Sequence, residues 1–173
     1  MKKLLSVSFI VFFISSKAFC QKHTLFVSAG PVIGVPVSNS NFRYYFKNAL
    51  GGTAQINYGV SKLGSITTSV SYFHIGAKNQ PVTKTSLTMI KAGYRTNFLK
   101  SGFFASADAG LAGYGSDISN FVIGAAAGYS FKVSKASYID LFPAYNLIVG
   151  TGSNNMWLTA NVLYRFNLKK TKN

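Results

Sequence analysis

The sequence predicts an all-β fold, an eight-stranded antiparallel up-and-down transmembrane β-barrel. Three observations carry that prediction. After residue 20 the chain divides into eight stretches of strand length with a two-residue period. Short and longer connections alternate between them, and one face of the stretches is mostly small or polar while the other is apolar and rich in aromatics.

The period is clearest around Leu87 to Asn97, where Thr88, Ile90, Ala92 and Tyr94 alternate with Met89, Lys91, Gly93 and Arg95. Phe121, Ile123, Ala125, Ala127, Tyr129 and Phe131 alternate in the same way with Val122, Gly124, Ala126, Gly128 and Ser130. Leu158, Ala160, Val162, Tyr164 and Phe166 alternate with Trp157, Thr159, Asn161, Leu163 and Arg165. Successive side chains of a strand point to opposite faces, so a period of two marks strands rather than helices.

The eight segments run over residues 23–35, 50–60, 64–76, 85–97, 102–114, 120–132, 136–149 and 155–167. Each is long enough to cross a bilayer as a tilted strand, which takes about 9 to 11 residues. The connections at 61–63, 98–101 and 133–135 are short, and those at 36–49, 77–84, 115–119 and 150–154 are longer. Short turns at one end and longer loops at the other is the arrangement of an outer-membrane barrel, which places both termini at the short-turn, periplasmic end.

A soluble exported carrier with a calycin-like barrel would alternate too, but its polar face would be solvated and rich in charge. Here that face reads Thr53, Gln55, Asn57 and Gly59, then Thr67, Ser69 and Ser71, which suits a narrow lumen. On the opposite face Tyr58, Tyr72, Tyr94, Phe103, Phe121, Tyr129, Phe131, Tyr145, Tyr164 and Phe166 gather near strand ends, with Ala92, Ala107, Ala125 and Val162 between them. Amphipathic rings collect at the two interfaces of a membrane.

The first twenty residues explain how such a chain is exported. Lys2 and Lys3 precede an apolar run from Leu4 to Ile14, and Ala18-Phe19-Cys20 supplies the small residues of a cleavage site before Gln21. The run is too short for a membrane helix of about 20 residues. Residues 1–20 are therefore read as a cleaved signal peptide and 21–173 as one barrel domain. The mature chain has no cysteine, no glutamate and a net charge of +12, against +15 for the whole sequence.

Over essentially its whole mature length the chain resembles the small outer-membrane β-barrel family, the porin-like and OmpA/OmpX-like eight-stranded proteins. Thr159, Asn161, Tyr164 and Phe166 resemble the C-terminal signal of that family, a polar residue, a glycine and two aromatics one residue apart. Asn161 stands where the glycine usually is, and Leu168 to Asn173 extend past the final aromatic. The resemblance implies a location in the bacterial outer membrane, contact with its lipid and lipopolysaccharide, and insertion by the barrel-assembly machinery.

Charges inside the strands allow a register to be proposed. A turn centred between Leu99 and Lys100 places Lys91 opposite Asp108, and a loop centred between Gly152 and Ser153 places Asp140 opposite Arg165. All four point to the lumen and are read as structural ion pairs, because unpaired charge away from water is costly. The functional alternative is a proton or ion relay. Arg95 receives no partner from this counting and is placed in solvent near the turn end.

Outside the strands, Phe42, Arg43, Tyr44, Tyr45, Phe46 and Lys47 form the densest aromatic and basic cluster, in the longest loop. It is read as a surface-binding loop or as an anchor against lipopolysaccharide phosphates. Nucleic acid is not expected, because Lys62, Lys100, Lys132, Lys135, Lys169, Lys170 and Lys172 fall in turns or the tail and build no recognition motif.

No catalytic, cofactor or metal site is expected. A lipid A deacylase- or palmitoyltransferase-like site needs histidine with serine and an acid, but His74 is followed by Ile75 and Gly76, His23 by Thr24, and neither is placed beside Ser116 and Asp117. Two separated histidines and three scattered aspartates form no ligand cluster. Gly30 to Gly34 precedes no helix and is read as a kink in the first strand rather than a phosphate loop. The reading is an outer-membrane barrel with a structural or surface-binding role and a side-chain-filled lumen. The alternatives are a narrow pore, a lipid-modifying barrel enzyme and a soluble carrier.

Overall fold

A computed structural model describes residues 24–38, 43–44, 46–61, 63–78, 85–98, 102–115, 117–150 and 154–168. The signal-peptide assignment, Phe42 and Tyr45 lie outside those residues. Eight strands follow one another: β1 (Leu25–Pro36), β2 (Phe46–Gly59), β3 (Gly64–Ala77), β4 (Thr85–Asn97), β5 (Phe103–Tyr114), β6 (Asp117–Lys132), β7 (Ser137–Val149) and β8 (Asn154–Asn167). Each pairs antiparallel with the next, and β8 pairs with β1, closing the sheet into a barrel. Closure leaves no strand edge, so the backbone N–H and C=O groups are satisfied within the wall.

Two boundaries differ from the expected ones by three residues or more. β2 begins at Phe46 rather than residue 50, across a register shift between Phe46 and Ala49, so Phe46 and Lys47 belong to the wall and not to a free loop. β6 begins at Asp117 rather than residue 120, so only residues 115 and 116 connect it to β5. Gly115, with φ of +68°, supplies the left-handed backbone that so short a connection needs. The loop end therefore includes one tight hairpin among its longer connections.

Burial alternates as the sequence period requires. Along β8, Trp157, Thr159, Asn161, Leu163 and Arg165 are buried, while Leu158, Ala160, Val162, Tyr164 and Phe166 are exposed. The exposed set over the whole wall is large and apolar, including Ile56, Ile66, Val70, Ile90, Leu111 and Ile123. A soluble barrel buries such residues; here they stay outside, while serine, threonine, asparagine, lysine, arginine and aspartate are buried beside a smaller apolar cluster. This inversion of the usual pattern is stable only when the outer wall faces lipid. At the turn end the aromatics pack as a belt, with Phe103 against Tyr129 at 4.9 Å, Tyr129 against Phe131 at 4.6 Å and Tyr164 against Phe166 at 4.3 Å between centroids.

Val162→Arg, on the outer wall away from both rims, is expected to destabilise the barrel by about 2–4 kcal/mol in lipid vesicles. Urea unfolding of the vesicle-inserted protein checks this. A change below about 0.5 kcal/mol, the size of an ordinary surface substitution, would mean that this face is not in lipid.

Candidate functional site

The interior is arranged in three layers from the loop end to the turn end. At the loop end Val32, Phe73, Leu87, Met89, Val122 and Trp157 belong to one buried apolar cluster, with Phe46 and Tyr114 packed on it. Trp157 Nε1 donates to the Tyr114 hydroxyl at 3.2 Å. The expectation of a small, polar lumen face fails here, because the lumen-facing positions near the loops are bulky hydrocarbon. An eight-stranded barrel is just wide enough for such side chains to fill it.

The middle layer is polar. Thr53 and Ser71 hydroxyls are hydrogen-bonded at 2.9 Å, and Asn146 and Asn161 both donate to Thr159 Oγ1, at 3.4 and 3.2 Å. Lys91 Nζ lies 3.1 Å from Asp108 Oδ1 and donates to Asn146 Oδ1 at 2.8 Å. Asp108 Oδ1 has no hydrogen-bond partner among the described residues, so its contact with the ammonium is ionic rather than directional. The void left among these groups is about 30 Å³, room for a water or two and for no solute.

Glycines make the space that this pair needs. The register sets Lys91 opposite Gly110 and Asp108 opposite Gly93 on one side and Gly124 on the other. A Cβ on Gly93 would lie 2.6 Å from the Asp108 Cβ, and one on Gly124 would collide with its carboxylate. The expected direct opposition of Lys91 and Asp108 is therefore two residues out, and the two side chains meet on a diagonal.

At the turn end two arginines share one carboxylate. Arg95 Nη1 lies 2.7 Å from Asp140 Oδ2, and Arg165 Nε approaches the same oxygen at 3.5 Å. Arg95 also donates to Ser130 Oγ at 2.8 Å and Asn97 Oδ1 at 3.0 Å, and its guanidinium sits 3.5 Å above the Phe104 ring. It is 1% exposed, which corrects its placement in solvent. Counting across hairpins reaches only adjacent strands, whereas Asp140 is on β7, three strands from β4. Equal height was the signal: Arg95 is two residues from the turn end of β4, Asp140 three from that of β7 and Arg165 two from that of β8.

The β7/β8 register places Asp140 opposite Leu163 and Arg165 opposite Tyr138, again two residues from the expected pairing. A shift of two keeps every side chain on its face. Arg165 and Asp140 thus still share the lumen and meet diagonally.

At the loop-side rim, Arg43 and Tyr44 are exposed. Arg43, Lys47 and Lys78 line a cleft of about 660 Å³ with Val35, Pro36 and Phe46. The structure thus adds Lys78 to the basic cluster, from the end of β3. His74 is exposed on the outer wall. Among the described residues no three histidine, cysteine or acidic side chains gather in one place.

Solved structures share this architecture. Neisserial surface protein A matches with a TM-score of 0.63 at 19% identity, over 83% of this chain and 97% of that one. The Yersinia pestis attachment invasion locus protein Ail, in complex with the heparin analogue sucrose octasulfate, matches with a TM-score of 0.52 at 13% identity, over 85% and 99%. The N-terminal β-barrel domain of Pseudomonas aeruginosa OprF matches with a TM-score of 0.52 at 15% identity, over 84% and 98%. The fold is that of the small outer-membrane β-barrels. No protein-family model and no curated protein matches the sequence, so the likeness is one of fold. Within that fold this barrel carries a layered lumen and two basic rims.

Lys91→Ala and Asp108→Ala are each expected to destabilise the barrel, and the double variant to cost less than their sum by about 0.5–3 kcal/mol. Additive effects in urea unfolding would contradict the pairing. Asp140→Asn is expected to cost about 3–5 kcal/mol, since it leaves two buried guanidiniums without a counter-charge. A cost no greater than that of Asp108→Asn would show that the triad is not the tighter of the two clusters.

Proposed function

We propose that this chain is an integral protein of the bacterial outer membrane, with its termini and short turns in the periplasm and a structural or surface-binding role rather than a catalytic one. The observation that carries the reading is the combination of an apolar outer wall with an interior filled along its length. In it the first twenty residues serve as the export signal, and the last strand as the contact for the assembly machinery. Lys91 with Asp108, and Asp140 with Arg165 and Arg95, act as interior plugs that hold the wall in register. The apolar layer at the loop end stops ions, because a dry hydrocarbon constriction gives them nothing to replace hydration.

The surface-binding part belongs to the loop-side rim. Arg43, Lys47 and Lys78 present three cations beside apolar Val35, Pro36 and Phe46. That mixture matches the phosphorylated, acylated head of lipopolysaccharide, with ammonium and guanidinium groups on phosphate and the apolar residues on hydrocarbon. The fold neighbour Ail in complex with a sulfated heparin analogue is a precedent for polyanion contact in a barrel of this size.

In planar bilayers the refolded protein is expected to give no stable unit conductance; reproducible channels would promote the narrow pore. Lipopolysaccharide is expected to co-purify with the wild type at low salt and to be largely lost from a Arg43→Ala/Lys47→Ala/Lys78→Ala variant. Equal retention by both proteins would remove this rim from the proposal.

A further inference from the structure

We propose a second anion site, at the opposite, turn-side mouth of the barrel, in which Arg165 receives a phosphate group. The argument begins with charge. Arg95, Asp140 and Arg165 are two cations on one anion, so the cluster carries one surplus positive charge in a largely buried setting. Nature usually balances such a charge, because a buried ion without a counter-ion is strongly unfavourable.

The surplus resides on Arg165. Arg95 is fully engaged by Asp140, Ser130, Asn97 and the Phe104 ring. The Arg165 side chain makes no hydrogen bond among the described residues. Its Nε is buried without a hydrogen-bond partner, and its contact with Asp140 is the longer, ionic one of 3.5 Å. The residue is nevertheless only 7% exposed, held with its guanidinium 4.9 Å from the Phe26 ring and 4.7 Å from the Tyr138 ring. Stacking on rings fixes a guanidinium's plane and leaves its edge, where the N–H donors lie, as the direction for an oxyanion.

That edge has a cavity to address. Arg165 lines a cleft of about 580 Å³ at the turn-side mouth together with Lys132, Ser130, Asn97 and Tyr138. These supply a second cation and further hydrogen-bond donors. The cleft also reaches Phe103 and Phe131, which are 57% and 48% exposed on the outer wall in the aromatic belt. A site that joins a fixed guanidinium to a lipid-facing aromatic rim suits an amphipathic phosphodiester, whose single negative charge cancels the surplus. The same donors accept free phosphate, so phosphate is the shared chemistry and its source is what the experiment separates. The site is independent of the loop-side cleft.

The test uses the full barrel, isotope-labelled and folded in a phosphate-free maltoside detergent, with amide signals of Tyr138, Lys132 and Arg165 followed by NMR. Inorganic phosphate and dihexanoylphosphatidylglycerol are titrated separately against chloride at equal ionic strength. Saturable shifts confined to the turn-side mouth, weakened at least about tenfold in Arg165→Met, are the expected result. Saturation with the lipid alone identifies a headgroup, and with both ligands a general phosphate site. Arg165→Met is expected to fold, since it leaves Arg95 and Asp140 as a neutral pair. Should it not, the exposed Lys132→Met serves instead, with affinity reduced several-fold. No saturable shift with either ligand, or unchanged affinity in the folded variant, would overturn the site.

Discussion

Closing eight strands into a ring leaves an interior about as wide as the side chains that line it. Every other feature of this protein follows from that constraint. The lumen cannot hold a column of water to solvate its charges, so a lumen charge is costly unless an opposite charge stands beside it. Asp140 is the clearest case: one carboxylate oxygen stands within 2.7 Å of Arg95 and 3.5 Å of Arg165, drawing β4, β7 and β8 to a common point. Lys91 and Asp108 do the same for β4 and β5 at mid-height, with glycines on neighbouring strands giving up their side chains to make room.

The layering divides labour along the barrel axis. Hydrocarbon at the loop end seals the lumen, hydroxyls and amides in the middle bind one another, and guanidiniums at the turn end lie next to an open cleft. Outside, the order of chemistry is inverted, with aliphatic residues between belts of aromatics. Among the described residues, the exposed basic side chains Arg43, Lys47, Lys78, Lys132 and Lys135 stand at the two mouths. Both are basic, in keeping with a sequence that has 18 basic residues and three acidic ones. Contacts made there with lipid phosphates would be screened by salt to the extent that they are exposed. Under the proposed reading, contacts made by the exposed Lys47 and Lys78 would be more salt-sensitive than those of the buried Arg165.

Strand number, wall-facing parity and the turn-end boundaries were legible in the sequence because each depends on a period of two, which local residues display. Leu158 to Phe166 announces its two faces unaided. Register was legible only up to a shift of two, since the turn centres near Lys100 and Thr151 depend on loop geometry that residue types leave open. The faces survived that error because a two-residue slip preserves parity. Arg95 was missed for a different reason: its partner lies across the lumen, and closure in three dimensions is not a hairpin property. The extension of β2 to Phe46 was hidden by the register shift at its start, where an aromatic that looks like loop anchoring turns onto the apolar layer. That layer was itself obscured, because Val122 and Trp157 were visible on the lumen face but scattered over separate strands.

The central claim is that this chain forms a closed barrel whose outer wall requires lipid. The most direct measurement is the migration of residues 21–173, refolded in detergent, on gels run with and without boiling, alongside their far-ultraviolet spectrum. The account predicts a sheet spectrum and a faster-running unboiled species that reverts to the expected mass on heating. A chain that stays soluble without detergent and migrates identically in both lanes would contradict it.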